Sequence, residues 1–530
     1  MTQQRRFSSM QLLLISINGM IGSAWLFAPL YAARLAGSDV IWAWLLGGLA
    51  TFVIALTFAE ISSLLPIAGG SARFSELSHG KITGFVISWI TWLSSVTMAP
   101  IEAQAMLQYA ATKFPNLMHQ VAGTPELTAI GLTWACLLML SLSILNIASF
   151  RGLIGVNFLL FIFKMSVIAA TVACLMHVRF VPGNFTVPNT IASHWHGIFT
   201  AVASGGIAFA FTGFKHCVEL AGEAKNPQRA IPIAIIGSVG ICLLIYLSLQ
   251  VAFIGAVLPS ELAHGWANLQ FQGDLGPFVG LAAALGLSYL VYALFIDAGV
   301  SPLGAGLIYV TSTARLVFAM SKNGYLPRSL TLLSKNNMPI AAISLNFIVG
   351  MALFLPLPGW QNMVSFLVAA IVISYAMGPI VLICLRKNLP HQTRSFRLPF
   401  AYPLCLLTFY CCNLLSYWTG WATLSKLAIA VGLGLVVLIT SMLVQHRHNR
   451  GNLGLRALGW LVPYLLGLLV ISYLGGFGGH GYLSFGWDFL IIGVFSVIIF
   501  QLAIATRQTQ IAEQFTTYQG VFNNEMVYRV

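Results

Sequence analysis

Apolar runs of about twenty residues recur along the whole chain, and they decide what it can fold into. They fall near 10–34, 40–65, 83–111, 127–147, 153–178, 197–215, 231–258, 278–312, 340–357, 362–385, 401–422, 425–445, 457–474 and 487–506. Each can cross roughly 30 Å of hydrocarbon, where the backbone finds no water and must satisfy itself as helix or closed barrel. The expectation is an all-α polytopic membrane protein with about fourteen transmembrane helices. Only 7% of the residues are charged, against about 25% in soluble domains, which excludes a soluble reading. The run at 278–312 is too long for one straight crossing. It is tilted, extended beyond the bilayer, or interrupted around "GVSPLGAG", Gly299 to Gly306.

Charge sets the orientation. Alternate loops are rich in Lys and Arg, from Arg73 and Lys81 through Arg386, Lys387, Arg394 and Arg397 to Arg447, Arg450 and Arg456. The opposite loops hold only Arg34, Lys113, Arg179 and Lys426. By the positive-inside rule both termini are cytoplasmic, in a multi-pass protein of the plasma (inner) membrane surrounded by lipid. The same rule accounts for the net charge of +13, so no nucleic acid partner is called for. The eight cysteines have no metal-type spacing and read as buried thiols. The first run follows Arg5 and Arg6 without a small-residue cleavage site, and is expected to stay as a membrane segment. The tail, 507–530, reads as a short cytoplasmic frayed helix.

Two of the runs are interrupted by glycine. The first reads "INGMIGSAWLFAPL", with Gly19, Gly22, Ser23 and Pro29. The sixth reads "VASGGIAFAFTGFKH", with Gly205, Gly206 and Gly213. One such segment fits close small-residue packing equally well. Two of them, five crossings apart and therefore oppositely oriented, point to inverted repeats with a binding site at the midplane. Unwound backbone turns its own polar groups into ligands. Amides at Gly22, Ser23 and Ala24 would open the outer half of the first helix and favour a carboxylate. Carbonyls near Ile207, Ala208 and Phe209 would end the first half of the sixth and favour an ammonium group. Together they suit a zwitterionic amino acid. Phe209, Phe211, Thr212 and Phe214 wall the pocket or simply pack between helices.

Several motifs resemble the amino acid–polyamine–organocation (APC) family of permeases. They are "GMIGSAWLFAP" (19–29, with Ala24 where Gly is commoner), "FAEISSLLPIAGGSARF" (58–74), "AGEAKNPQRAIPIAI" (221–235), "TSTARLVFAMSKNGYLP" (311–327) and "LRKNLPHQTRSFRLPFAYP" (385–403). The fourteen-segment layout and the turn "ISYLGGFGGHG" (471–481) look closest to its bacterial aspartate:proton symporter-like members. The resemblance implies a five-plus-five inverted-repeat core with discontinuous helices 1 and 6. Residues 1–180 would form the first repeat, 195–385 the second, and 400–506 the peripheral helices 11–14. It implies amino-acid transport by alternating access, with Gly19, Ile21, Gly22, Ser23, Ala24, Ile207, Ala208, Phe209 and Thr212 around the substrate.

Ionisable residues at membrane depth are costly and mark function. Lys164 lies about 11 residues into the fifth run, roughly 15 Å deep at 1.5 Å per residue. Proton-coupled family members are similar in carrying a lysine at this point, in place of a sodium ion between helices 1, 5 and 8. Carried over, Lys164 would lie near the Gly19–Gly22 carbonyls and a polar residue of segment 8, Ser301. A structural lysine permanently paired with an acid is the alternative. Asp297 would pair with Lys164 or line a proton path, and Glu102 would face the substrate pathway or the headgroups. Glu60 reads as structural or gating. Lys215 and His216 read as interfacial charges at a cytoplasmic helix end.

The leading function is proton-coupled amino-acid symport, with a small amino acid and protons as partners. The alternatives are an amino-acid exchanger and a non-transporting sensor. The histidines are scattered, with no HExxH or other metal spacing, so no enzyme activity, metal or cofactor is expected.

Overall fold

A computed structural model describes residues 7–66, 70–121, 123–148, 150–187, 194–269, 271, 276–334, 338–444 and 453–508. The predicted tail helix beyond Gln508 lies outside them. In chain order the helices are α1 (Ser9–Met20), α2 (Ala24–Ala36), α3 (Val40–Leu64), α4 (Gly70–His79), α5 (Lys81–Val96), α6 (Met98–Ala110), α7 (Ala129–Ala148) and α8 (Phe150–Val178). Then come α9 (His194–Ser204), α10 (Ile207–Ala210), α11 (Lys215–Glu219), α12 (Pro227–Ala256), α13 (Pro277–Ala284), α14 (Ser288–Lys322) and α15 (Ile340–Leu353). The last six are α16 (Trp360–Tyr375), α17 (Met377–Asn388), α18 (Ala401–Trp418), α19 (Trp421–Val444), α20 (Leu458–Leu474) and α21 (Trp487–Ala505). A small antiparallel hairpin, β1 (Met118–Val121) with β2 (Thr124–Leu127), sits between α6 and α7.

Among the described residues, eleven helical stretches are long and apolar enough to cross a membrane, and α1 and α15 are shorter apolar helices. The chain is an integral, multi-pass, predominantly helical membrane protein. Its exterior carries large apolar side chains such as Ile144 and Leu159, Leu244, Leu433 and Val494. That surface suits acyl chains. Its buried polar residues are gathered at helix–helix contacts, including Glu102, Lys164 and Asp297, each at most 1% exposed.

Local sequence explains where the helices stop. Ser8 caps α1, its Oγ accepting from Gln11 N while Gln11 Oε1 accepts from Ser8 N, a reciprocal capping box. The third and tenth crossings each divide into two helices, α5/α6 and α16/α17. In both, a proline, Pro100 or Pro379, stands at the third position of the second half. The missing N–H of each proline leaves the preceding turn without a donor. The long eighth run is also divided, but not at Gly299–Gly306. It breaks at Leu285–Leu287, where Gly286 takes φ +73°. After that α14 continues through Pro302 for 35 residues, about 52 Å at the helical rise, which exceeds the hydrocarbon thickness.

The core that positions the site is built from α1 and α3 packed on α12, with α14 against α6 and α8. The two glycine-interrupted crossings meet face to face. A Cβ on Gly213 would run into Met20 N and stand 2.6 Å from the Gly19 carbonyl carbon. Only glycine permits that approach.

Candidate functional site

The carbonyls of Asn18, Gly19, Met20 and Ile21 line the break between α1 and α2, and three side chains collect them. Lys164 Nζ, on α8, donates to Asn18 O at 3.0 Å and to Ile21 O at 2.5 Å. Tyr309 OH, on α14, donates to Gly19 O at 3.3 Å. Tyr246 OH, on α12, donates to Met20 O at 2.8 Å. Buried backbone acceptors without partners would each cost about 1–3 kcal/mol, so these donors are what keeps the chain unwound.

A carboxylate sits at the amide end of the same break. Ser23 N donates to Glu102 Oε2 at 2.9 Å. Glu102 Oε1 lies 2.6 Å from where a Cβ on Gly22 would stand, and Ala305 Cβ is 3.0 Å from the same point. Glu102 therefore faces the break rather than the headgroups. The ammonium at the carbonyl end and the carboxylate at the amide end each complement the dipole of the half-helix they touch. Ser301, expected beside Lys164, is engaged elsewhere. Its Oγ donates to Asp297 Oδ2 at 2.6 Å, one helical turn back, and accepts from Trp25 Nε1 at 3.3 Å. Asp297 Oδ1 has no hydrogen-bond partner among the described residues. Lys164 interacts electrostatically with both Asp297 and Glu102.

The sixth crossing unwinds earlier than its sequence suggests. The first half, α9, ends at Ser204, and Gly206 takes φ +96°, a conformation that side chains resist. Ile207, Ala208 and Phe209 therefore do not end α9; they form the separate turn α10. Their carbonyls are partly committed there. Phe209 O accepts from Thr212 Oγ1 at 2.8 Å, and Ala208 O from Phe211 N at 3.3 Å. Tyr246 OH also reaches Ala210 O at 3.3 Å, so one hydroxyl spans both breaks.

Aromatic rings close the site on the α2 side. Trp360 Nε1 donates to Ser23 Oγ at 3.0 Å. Its ring stacks on Tyr31 at 5.6 Å, tilts against Phe27 at 5.4 Å and meets Phe209 edge-on at 5.8 Å. On the α1 side, Lys215 Nζ donates to Ser95 Oγ at 2.6 Å, His216 packs on Tyr309, and Tyr375 OH donates to Thr212 O at 3.2 Å. Lys215 and His216 are buried, not interfacial, because α11 is covered by α1, α12 and α4. Gly19, Ile21, Gly22, Ser23, Ala24, Ile207, Ala208, Phe209 and Thr212 are all buried. Trp360, Tyr246 and Tyr309 were not singled out from sequence, since nothing along the chain separates them from packing aromatics.

A family profile described as amino acid permease matches residues 7–443. The chain belongs to the amino acid permease family. This permease is 36% identical over 507 residues to the glutamate/serine transporter AimA of Bacillus subtilis (strain 168), covering 94% of this chain and 93% of that one. It is 33% identical over 506 residues to the aspartate-proton symporter of the same organism, covering 94% and 96%. The branched-chain amino acid permease BcaP, also from Bacillus subtilis, is 24% identical over 465 residues, covering 85% and 95%. The permease also carries a buried ion cluster away from the break. Glu60, at the end of α3, accepts from Arg386 at 2.9 and 2.6 Å and from Leu398 N at 2.7 Å, with Arg394 Nε 3.2 Å away. That arrangement ties α3 to α17 and to the loop beyond it.

Proposed function

We propose that this permease is a proton-coupled amino-acid symporter of the plasma membrane, with both termini cytoplasmic. The observation that carries the reading is the pairing at one break of a buried carboxylate on Ser23 N with a buried ammonium on the Asn18 and Ile21 carbonyls. The substrate's α-carboxylate takes the place of Glu102 on the amides of the first break. Its ammonium group lies toward the C-terminal carbonyls of α9. Glu102 leaves the amides when it gains a proton, so substrate and proton load together. Lys164 holds the carbonyl end, within electrostatic reach of Asp297, and Ser301 orients Asp297. Loss or gain of the lysine's proton changes how tightly α8 grips α1, which couples protonation to the inner half of the break.

Residues 1–180 and 195–385 act as the two repeats, with 400–506 peripheral. Trp360 and its aromatic neighbours form the outer closure, and Lys215, His216 and Tyr309 the cytoplasmic one. The name of the aspartate-proton symporter supports proton coupling, and the Lys/Arg asymmetry of the loops supports the orientation.

The test is uptake of a panel of labelled amino acids into proteoliposomes, with and without an inward proton gradient. Gradient-driven accumulation is expected. Counterflow that ignores the gradient would mark an exchanger, and saturable binding without flux a sensor. Either result overturns the symport reading.

A further inference from the structure

Beneath the first break, on the α1 side, lies a lysine–histidine pair that the coupling scheme does not use. Lys215 is 5% exposed and His216 1%. Lys215 Nζ donates to Ser95 Oγ at 2.6 Å and stands 3.3 Å from Glu219 Oε1. These contacts occupy two of the three donors an ammonium carries. His216 Nδ1 is 3.7 Å from Glu219 Oε2, too far for a hydrogen bond, and His216 Nε2 has no hydrogen-bond partner among the described residues. The imidazole edge packs on Gly19 at the end of α1, with Nε2 2.6 Å from where a Cβ on Gly19 would stand. A buried polar nitrogen left unpartnered costs about 1–3 kcal/mol, so a ligand that accepts from it is favoured.

The spacing selects the ligand. Gly19 faces His216, and the amide cradle begins at Gly22. Three residues span about 5 Å as helix and about 10 Å extended. The short end of that range is the reach between the two carboxylates of a dicarboxylic amino acid. Glu219 balances one positive charge. A second carboxylate would take the Nε2–H of His216 and the remaining donor of Lys215, both charge-assisted hydrogen bonds in a water-poor site.

We propose that Lys215 and His216 form the side-chain carboxylate subsite of this permease and select dicarboxylic amino acids. The proposal rests on the transporter reading above. A neutral side chain gains nothing there, because Lys215 already holds Ser95 and Glu219.

The experiment is competition against a labelled substrate in proteoliposomes by aspartate, glutamate, serine and alanine. It compares the wild-type protein with Lys215→Gln, Lys215→Arg and His216→Gln. In Lys215→Gln the ratio of acidic to neutral affinity is expected to fall at least tenfold, with partial recovery in Lys215→Arg. His216→Gln should lower the same ratio. If Lys215→Gln does not fold, as judged by size-exclusion chromatography, the His216→Gln ratio decides alone. An unchanged ratio, or an equal loss for all four amino acids, overturns the subsite. Wild-type protein that takes serine or alanine but no acidic amino acid also overturns the subsite and leaves the transporter reading standing. Wild-type protein that takes none of the four overturns the transporter reading itself.

Discussion

Replacing Glu102 by Gln keeps the shape of the side chain and removes its charge. The carboxylate holds Ser23 N at 2.9 Å in a site with 1% exposure. A hydrogen bond to a charged acceptor is worth about 1.5–3 kcal/mol, and one to a neutral amide about 0.5–1.5. The variant side chain therefore grips the cradle more weakly by about 1 kcal/mol. A substrate carboxylate competing for the same amide should bind roughly fivefold more tightly at neutral pH. In the wild-type protein, acidification does the same by neutralising Glu102, so apparent affinity should rise as pH falls. In Glu102→Gln that dependence should flatten. Intrinsic fluorescence is a direct assay, because Trp360 donates to Ser23 Oγ and Trp25 donates to Ser301 Oγ. Titrations across pH in detergent give affinity without requiring transport. If the variant bound substrate more weakly, or kept the wild-type pH dependence, the carboxylate exchange would be wrong.

Lys164→Ala strips donors from two buried carbonyls, at about 1–3 kcal/mol each. We expect gradient-driven accumulation to vanish in proteoliposomes, and a folded variant with full pH-dependent uptake would contradict the coupling role. Gly22→Val places a side chain 2.6 Å from Glu102 Oε1 and 3.0 Å from Ala305 Cβ, so substrate binding should be lost while membrane insertion persists. His79, the buried last residue of α4, predicts a stability profile. Burial lowers its pKa from 6.5 to about 4, against a smaller opposing effect of its hydrogen bond to Ala503 O. Between those values the unfolded chain binds a proton that the native protein refuses. Stability is full above pH 6.5 and is lost as pH falls toward 4, on the order of 3 kcal/mol in all. Thermal unfolding from pH 7 to 4 should show this loss, and His79→Gln should reduce it.

The membrane class and the presence of interrupted segments were legible because lipid enforces a simple rule on backbone groups, and glycine runs violate it visibly. Lys164 was legible as a cation at depth. The partners were not. Glu102 lies 79 residues from Ser23 along the chain, and no periodicity links them. Position within its segment fixed only how deep Glu102 lies, not which face of α6 it occupies. Lys215 and His216 carry the same letters whether a helix end meets headgroups or is covered by α1, α12 and α4. The sixth break moved because Gly206, rather than the residues after it, takes the left-handed conformation. Ser301 was assigned to the lysine by its segment, but a hydroxyl four residues after an aspartate on one helix finds that aspartate first.

The donors that hold the first break open come from α8, α12 and α14. The farthest, Tyr309, lies 290 residues beyond the carbonyl it serves. A first crossing alone in lipid has none of them, and would satisfy its carbonyls only by remaining helical through the glycines. An opening segment that entered the bilayer by itself would therefore be one helix, and would come apart only once the two tyrosines and the lysine that replace its lost bonds were in place. Truncation before α8 would leave a helix 1 with none of these donors to replace its own bonds.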